Sequence, residues 1–328
     1  MRFELWYTVF WFTQVYVQIA NVSESGGSVM KHAFLIMAHT NYPLVARLLK
    51  KLDHSDHTIY LHIDAKSPFS QEDEARLKKS CTSSEVVLID RCQVRWGGYS
   101  QIHVQLRLLE RARQDLNDYY HFLSGVDFPI KPIQEIHDFF ETHAGFEFLH
   151  FASEDFTNSQ ASRHSYYHFW QEKRGRSENL YSFLERGSLF LQRLLNVNRA
   201  KRYSHITFQC GSNWASITHD FSSFLLSQEK EIRKMFANSV CCDEFFMQTI
   251  AYNSPFRSRV FQFQNKESKM PPHLRTLDWE RGDHKAGSPY TFVIRDYPSL
   301  ITSPGLFCRK VSDATPEGAA LIEQLEQL

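Results

Sequence analysis

Four acids and a small set of cations stand where this chain could do chemistry. Tyr119 to Leu123 is a short apolar run that leads into Ser124-Gly125, then Asp127, then Pro129 and Pro132. Such a run closed by turn residues reads as a buried strand. Gly125 permits backbone angles closed to other residues, and the two prolines cannot donate to a ladder. Asp127 is therefore expected on a stiffened turn past the carboxyl end of a core strand, where open α/β sheets place their ligands. A plainer role is to cap the helix that begins near Ile133. Asp64 likewise follows the strand-like run Thr58 to Ile63. Asp243 and Glu244 sit together before the apolar run Phe245 to Ile250, where a helix dipole favours negative charge, and that placement alone would account for them. Arg275 and Lys310 lie among apolar neighbours, a setting that suits a phosphate or simple packing of their alkyl stems.

These residues need elements to position them. His32 to Ala38 is a continuous apolar run, as expected of a parallel strand covered on both faces, and it ends in His39-Thr40-Asn41. Leu44, Leu48, Leu49 and Leu52 follow at helical spacing, with Pro43 suited to a first turn. Val86 to Ile89 is a third strand. This alternation predicts βαβ units, right-handed crossovers and a parallel sheet. Ser100 is placed to cap a helix whose inward face is Ile102, Leu106, Leu109, Ala112 and Leu116. Before it, Gly97 and Gly98 leave room for a ligand beside Trp96. A helix over 133–143 and a strand over 146–150 come next. Residues 151–205 are polar, basic and sprinkled with aromatics, and read as a variable insertion beside a cleft.

Composition narrows the function. Lys plus Arg equals Asp plus Glu at 37 each, so no overall field draws nucleic acid or an anionic membrane. The six cysteines contain no CxxC pair, which argues against a structural zinc site, and their spacing suits a reduced, cytosolic setting better than a disulfide scaffold. Leu5 to Ala20 is apolar but interrupted by Gln14 and Gln18, and shorter than the ~20 residues of a spanning helix. Residues 1–29 therefore read as a spurious or disordered extension, a membrane-touching helix, or an anchor, ahead of a single domain over 30–328.

No GxGxxG, GxxxxGK[ST] or GxSxG is present, which weighs against dehydrogenases, P-loop NTPases and α/β-hydrolases. No Asp-x-Asp follows a strand to hold a metal–nucleotide complex. The ordered pieces do resemble one family: the strand end Phe34–Asn41, Leu61-His62-Ile63-Asp64-Ala65-Lys66-Ser67, Trp96-Gly97-Gly98-Tyr99-Ser100, Leu123 to Lys131, Gly211-Ser212-Asn213-Trp214 and Asp243-Glu244-Phe245-Phe246. Together, from Met30 to about Asp313, they resemble the core-2/I-branching N-acetylglucosaminyltransferases and the related peptide O-xylosyltransferases.

The resemblance implies an α/β chain of GT-A glycosyltransferase fold, with a Rossmann-like, mostly parallel sheet flanked by helices. It also implies an inverting, metal-independent enzyme without a cofactor, moving GlcNAc from a UDP-sugar to a hydroxyl of a glycan or lipid-linked saccharide. A UDP-xylose-using xylosyltransferase is the alternative, beside a non-catalytic glycan- or nucleotide-binding protein, a metal-requiring nucleotidyltransferase and a UDP-sugar hydrolase. Carried over by position, Glu244 resembles the general base. Ala38, His39, Thr40, Asp64 and Trp96 resemble the uridine-side contacts. Arg275 and Lys310, with Arg309 as the alternative to Lys310, resemble the diphosphate-binding cations. Asp127 is expected at the donor–acceptor junction, with Ser212 and Trp214 beside the acceptor. The short chain further suggests a bacterial-type cytoplasmic member, with peripheral contact to the inner membrane face, working in surface polysaccharide synthesis.

Overall fold

The computed structural model describes residues 30–283, 285 and 287–328, so the expectations for residues 1–29 lie outside the described residues. The first strand, β1 (His32–Ala38), is apolar from Ala33 onward and shielded on both faces. Helix α1 (Tyr42–Lys51) buries Leu44, Val45, Leu48 and Leu49, a stripe set by helical spacing. Burying each such side chain contributes about 1.5–3 kcal/mol. Asn41 starts the helix by accepting the Leu44 amide at 3.2 Å. Strand β2 (His57–Ile63), helix α2 (Gln71–Lys78) and strand β3 (Glu85–Leu88) complete the outward run of βαβ units.

Helix α3 (Tyr99–Arg113) then carries the chain back to β4 (Tyr119–Ser124). The predicted Ser100 cap is not used. Gly98 occupies the cap position, and the Ser100 hydroxyl instead accepts the Arg95 amide at 2.8 Å. The sheet order is β3-β2-β1-β4-β6, with β1, β2, β3 and β4 parallel and β6 (Ser216–Thr218) antiparallel to β4. The chain therefore reverses its direction of growth between β1 and β4, which makes their carboxyl ends a topological switch point.

The prolines do not stop pairing where expected. Asp127–Pro129 forms a short strand, β5, antiparallel to β8 (Phe307–Arg309), which in turn pairs in parallel with β7 (Arg275–Leu277). Pro129 is tolerated because β5 is an edge strand. Helix α4 (Ile133–Thr142) covers the opposite end of β1 and β2, as the His137 and Phe140 ring contacts with His32 record. The expected strand over 146–150 is reduced to isolated bridges, Glu147 with Val260 and Phe148 with Ser216. The 151–205 insertion is helical, its longest element being α5 (Leu180–Leu194). Mostly parallel strands flanked by helices, with a small second sheet, make the GT-A, Rossmann-like architecture that the sequence motifs imply. Among the described residues no helix is long and apolar enough to cross a membrane.

Candidate active site

The carboxyl edge of the main sheet gathers most of the expected residues. Ala38 closes β1; His39 and Thr40 follow it and are exposed. The Asp64 amide donates to the Ala38 carbonyl at 3.0 Å, so the ends of β1 and β2 are tied together. The Asp64 carboxylate accepts the amides of Lys66 at 2.9 Å and Val94 at 3.3 Å, with the Lys66 ammonium 3.3 Å away. Through Val94 it anchors the loop that carries Trp96. That indole is 46% exposed, with Arg176 stacked 4.3 Å from its ring. Gly125, after β4, donates to the Met37 carbonyl at 3.1 Å, and a side chain there would press on Val45 and Ala38. Its glycine identity thus closes the β1–β4 edge.

Asp127 is no helix cap. It is fully buried, and one carboxylate oxygen accepts the Ser124 amide at 2.6 Å, the Ser124 hydroxyl, and the Arg309 guanidinium at 3.1 Å. The β5–β8 register puts Asp127 directly opposite Arg309. Arg309 also stacks 4.7 Å from the Trp214 ring, so it bridges Asp127 to the Gly211–Trp214 loop. Within that loop the Ser212 hydroxyl accepts the Trp214 amide, and the Ser212 amide donates to His150 at 3.2 Å. Lys310 lies beside Arg309, its ammonium 2.7 Å from the Ser288 hydroxyl. Arg275 sits elsewhere. It is fully buried beneath this layer, and its guanidinium donates to the carbonyls of Phe122 at 2.6 Å and His273. Burial lowers its pKa to about 10. In this arrangement Arg309, not Arg275, is the arginine at the edge.

The acid pair lies in a single 3-10 turn, Cys242–Glu244, ahead of helix α7 (Phe246–Tyr252); α6 (His219–Ser227) precedes it in the chain. Asp243 is buried and accepts the side-chain amides of Gln101 and Asn213, each at 3.1 Å. Burial, reinforced by the neighbouring Glu244 charge, pushes its pKa up to about 7. Glu244 is half-exposed and paired with Arg163 at 2.5 Å. Its carbonyl accepts the Gly211 amide at 2.8 Å, and the Cys241 amide donates to the Gly97 carbonyl at 2.8 Å. Gln101 accepts the Gly97 amide as well. The turn holding Glu244 is therefore bonded to both the Trp96 loop and the Ser212 loop.

A continuous circuit results: Ala38 to Asp64, Asp64 to the Trp96 loop, that loop through Gly97 to Cys241 at the head of the Glu244 turn, the Glu244 carbonyl to Gly211, then Trp214 to Arg309, Arg309 to Asp127, Asp127 to Ser124, and the adjoining Gly125 back to β1. Arg163 and Gln101 belong to it and were not anticipated. Arg163 comes from the insertion, where one arginine among many carries no distinguishing spacing. Gln101 shares the first turn of α3 with Ser100, and only the fold shows which residue reaches Asp243.

The expectation of a chain without a metal site does not hold. His54, His57 and His137 place one ring nitrogen each within 4.8 Å of one another, close enough to share a cation. Burial pushes the His57 pKa down to about 3 and lowers that of His137, which favours the neutral, ligating form. These residues cannot be read from sequence as a group, because a helix or more separates His137 from the other two. The cluster overturns the expectation of a metal-independent chain without a cofactor. The expectation of a membrane setting is corrected only this far: among the described residues no helix is long and apolar enough to cross a bilayer.

Residues 32–300 match the family described as Core-2/I-Branching enzyme. The chain belongs to that family. Its domain and fold are those of glycosyltransferase enzymes. Similar curated proteins include Xylosyltransferase sqv-6 of Caenorhabditis briggsae, 24% identical over 77% of this chain and 29% of its own length. Xylosyltransferase 2 of Rattus norvegicus is 22% identical over 87% of this chain and 32% of its own. The chain thus spans about a third of the length of these relatives. Among solved structures, mouse xyloside xylosyltransferase 1 superposes with a TM-score of 0.35 at 13% identity, covering 88% of this chain and 99% of that one. The expectation of GlcNAc transfer is corrected here, because the curated relatives named are xylosyltransferases. The family membership is broad and does not single out a bacterial-type member.

Proposed function

We propose that this protein transfers xylose from UDP-xylose to a hydroxyl of a glycan-type acceptor. The observation that carries the reading is the bonded circuit at the sheet's carboxyl edge, which ties Glu244 to the Trp96, Ser212 and Asp127 loops. The xylosyltransferase relatives support the choice of donor sugar. In this reading Ala38, His39, Thr40, Asp64 and Trp96 receive the uridine side of the donor. Glu244 takes the proton of the acceptor hydroxyl as that oxygen attacks the anomeric carbon, a role worth roughly 10²–10⁴ in rate. The bond to the β-phosphate oxygen breaks in the same displacement, and negative charge grows on the departing UDP. Arg309, ion-paired with the junction residue Asp127, and its neighbour Lys310 would stabilise that charge.

Arg163 has a part to play before the transfer. Its ion pair holds Glu244 in one orientation, and an incoming hydroxyl must share or displace it. Ser212 and Trp214 would flank the acceptor, with 151–205 setting its identity. The test is UDP release with UDP-xylose, UDP-GlcNAc, UDP-glucose and UDP-galactose across saccharide and hydroxyl-peptide acceptors. Acceptor-dependent release with UDP-xylose that Glu244→Gln abolishes is the expected result. A clear preference for another donor, or free sugar at the same rate without acceptor, would overturn it.

A further inference from the structure

At the other end of the sheet, the amino ends of β1, β2 and β4 meet over a core of imidazoles. His32 and His121 are fully buried, and His57 and His137 nearly so. His57 Nδ1 lies 2.7 Å from the Leu52 carbonyl oxygen, an acceptor only, so this nitrogen carries the proton and Nε2 is left with its lone pair bare. That bare nitrogen is 2.7 Å from His137 Nε2, with the two rings stacked at 4.9 Å. The His54 ring lies 4.7 Å from that of His137, in the turn before β2, and is half-exposed. Beside them His32 bonds His121 through Nδ1 at 2.9 Å, while its own Nε2 is buried without a partner, its ring 4.6 Å from that of His137.

Apolar side chains would fill this space without the cost of burying polar nitrogens. We propose that His54, His57 and His137 form a binding site for a single zinc-class divalent cation, which clamps α4 to the turn before β2. Imidazole suits borderline first-row cations, with Zn–N bonds of about 2.0–2.1 Å in tetrahedral geometry. Two ligating nitrogens then stand about 3.3 Å apart, so the His57–His137 contact needs to open by only about 0.6 Å when a cation takes the place of the His137 Nε2 proton, which moves to Nδ1 of the same ring. The Leu52 carbonyl supplies the outer hydrogen bond that fixes a ligating imidazole's tautomer. Half-exposed His54 gives the entry path, and water completes the fourth position.

This site is not the transferase centre. His57 begins β2 and Asp64 follows its end, so the strand's seven residues separate them by roughly 20 Å. Its role is structural, and it stands or falls independently of the proposed reaction. The test uses tag-free full chain stripped of metal, then titrated with zinc, reading bound metal per chain and melting temperature with no donor present. Uptake of about one equivalent with a rise in melting temperature is expected. Cobalt should give the visible absorption of a tetrahedral nitrogen-ligated ion. His54→Ala, at a half-exposed turn position, should fold yet lose both the uptake and the rise. His137→Gln provides a second variant from another element. Absence of uptake by the wild type, or equal uptake by folded His54→Ala, would overturn the site.

Discussion

The two adjacent acids of the Cys242–Glu244 turn have opposite surroundings and so divide the work. Glu244 reaches half into solvent toward Arg163, whereas Asp243 is buried between Gln101 and Asn213. Replacing Glu244 with Gln should lower turnover roughly 10²–10⁴-fold while leaving donor affinity nearly unchanged. Steady-state rates beside calorimetric donor titration would check both halves. Asp243 predicts a pH effect. Its carboxyl has a folded pKa of about 7, above the usual 3.8, so the folded state holds the proton over that window while the unfolded chain has lost it. Stability therefore falls as pH rises from about 4 through 7, and the loss persists above 7. Asp243→Asn keeps an acceptor for both amides and has no proton to lose. Glu244 and Arg163 are present in both proteins. Denaturation curves should show the variant gaining on the wild type as pH rises through that window; parallel curves would refute the assignment. The Glu244–Arg163 pair was hidden in the sequence because 81 residues separate its members and the insertion has no periodicity to align them.

Elements explain which residues were legible and which were not. The β1, β2 and β4 ends could be read because an apolar run followed by polar residues marks a buried strand and its exit. The choice among Arg275, Arg309 and Lys310 could not, since it depends on the register of β5 on β8 in a sheet of three-residue strands. That register joins Asp127 to Arg309 and buries Arg275 under β4. Asp127→Ala should therefore leave the Ser124 amide without its acceptor and Arg309 without its ion-pair partner, with only the Ser124 hydroxyl still accepting from it. A loss of about 3–5 kcal/mol in urea denaturation is expected. Gly211 makes a second element-scale prediction. A Cβ there would drive into the His150 carbonyl, which is backbone and cannot swing aside. Gly211→Ala should break the bond from its amide to Glu244 and cost both stability and turnover, as a melting curve and a rate measurement would show.

At the scale of the whole molecule, the sheet has two ends with different chemistry. The carboxyl end, at the β1–β4 switch point, collects the acids, Trp96 and the edge cations. The amino end holds the imidazole cluster that no motif announced, because histidines at strand starts resemble ordinary polar punctuation. Residues Lys31–Leu328 form one compact unit. A chain begun at Met30 is therefore expected to fold cooperatively, with a single thermal transition. The central claim is that the carboxyl edge receives a UDP-sugar, with Asp64 on its uridine side. Calorimetric titration of UDP-xylose into the wild type and Asp64→Ala tests this most directly. Saturable binding by the wild type, weakened at least about tenfold in a folded Asp64→Ala protein, is the predicted result; a tenfold change corresponds to about 1.4 kcal/mol. Equal affinity in both proteins, or no binding of UDP-xylose to the wild type, would contradict the account.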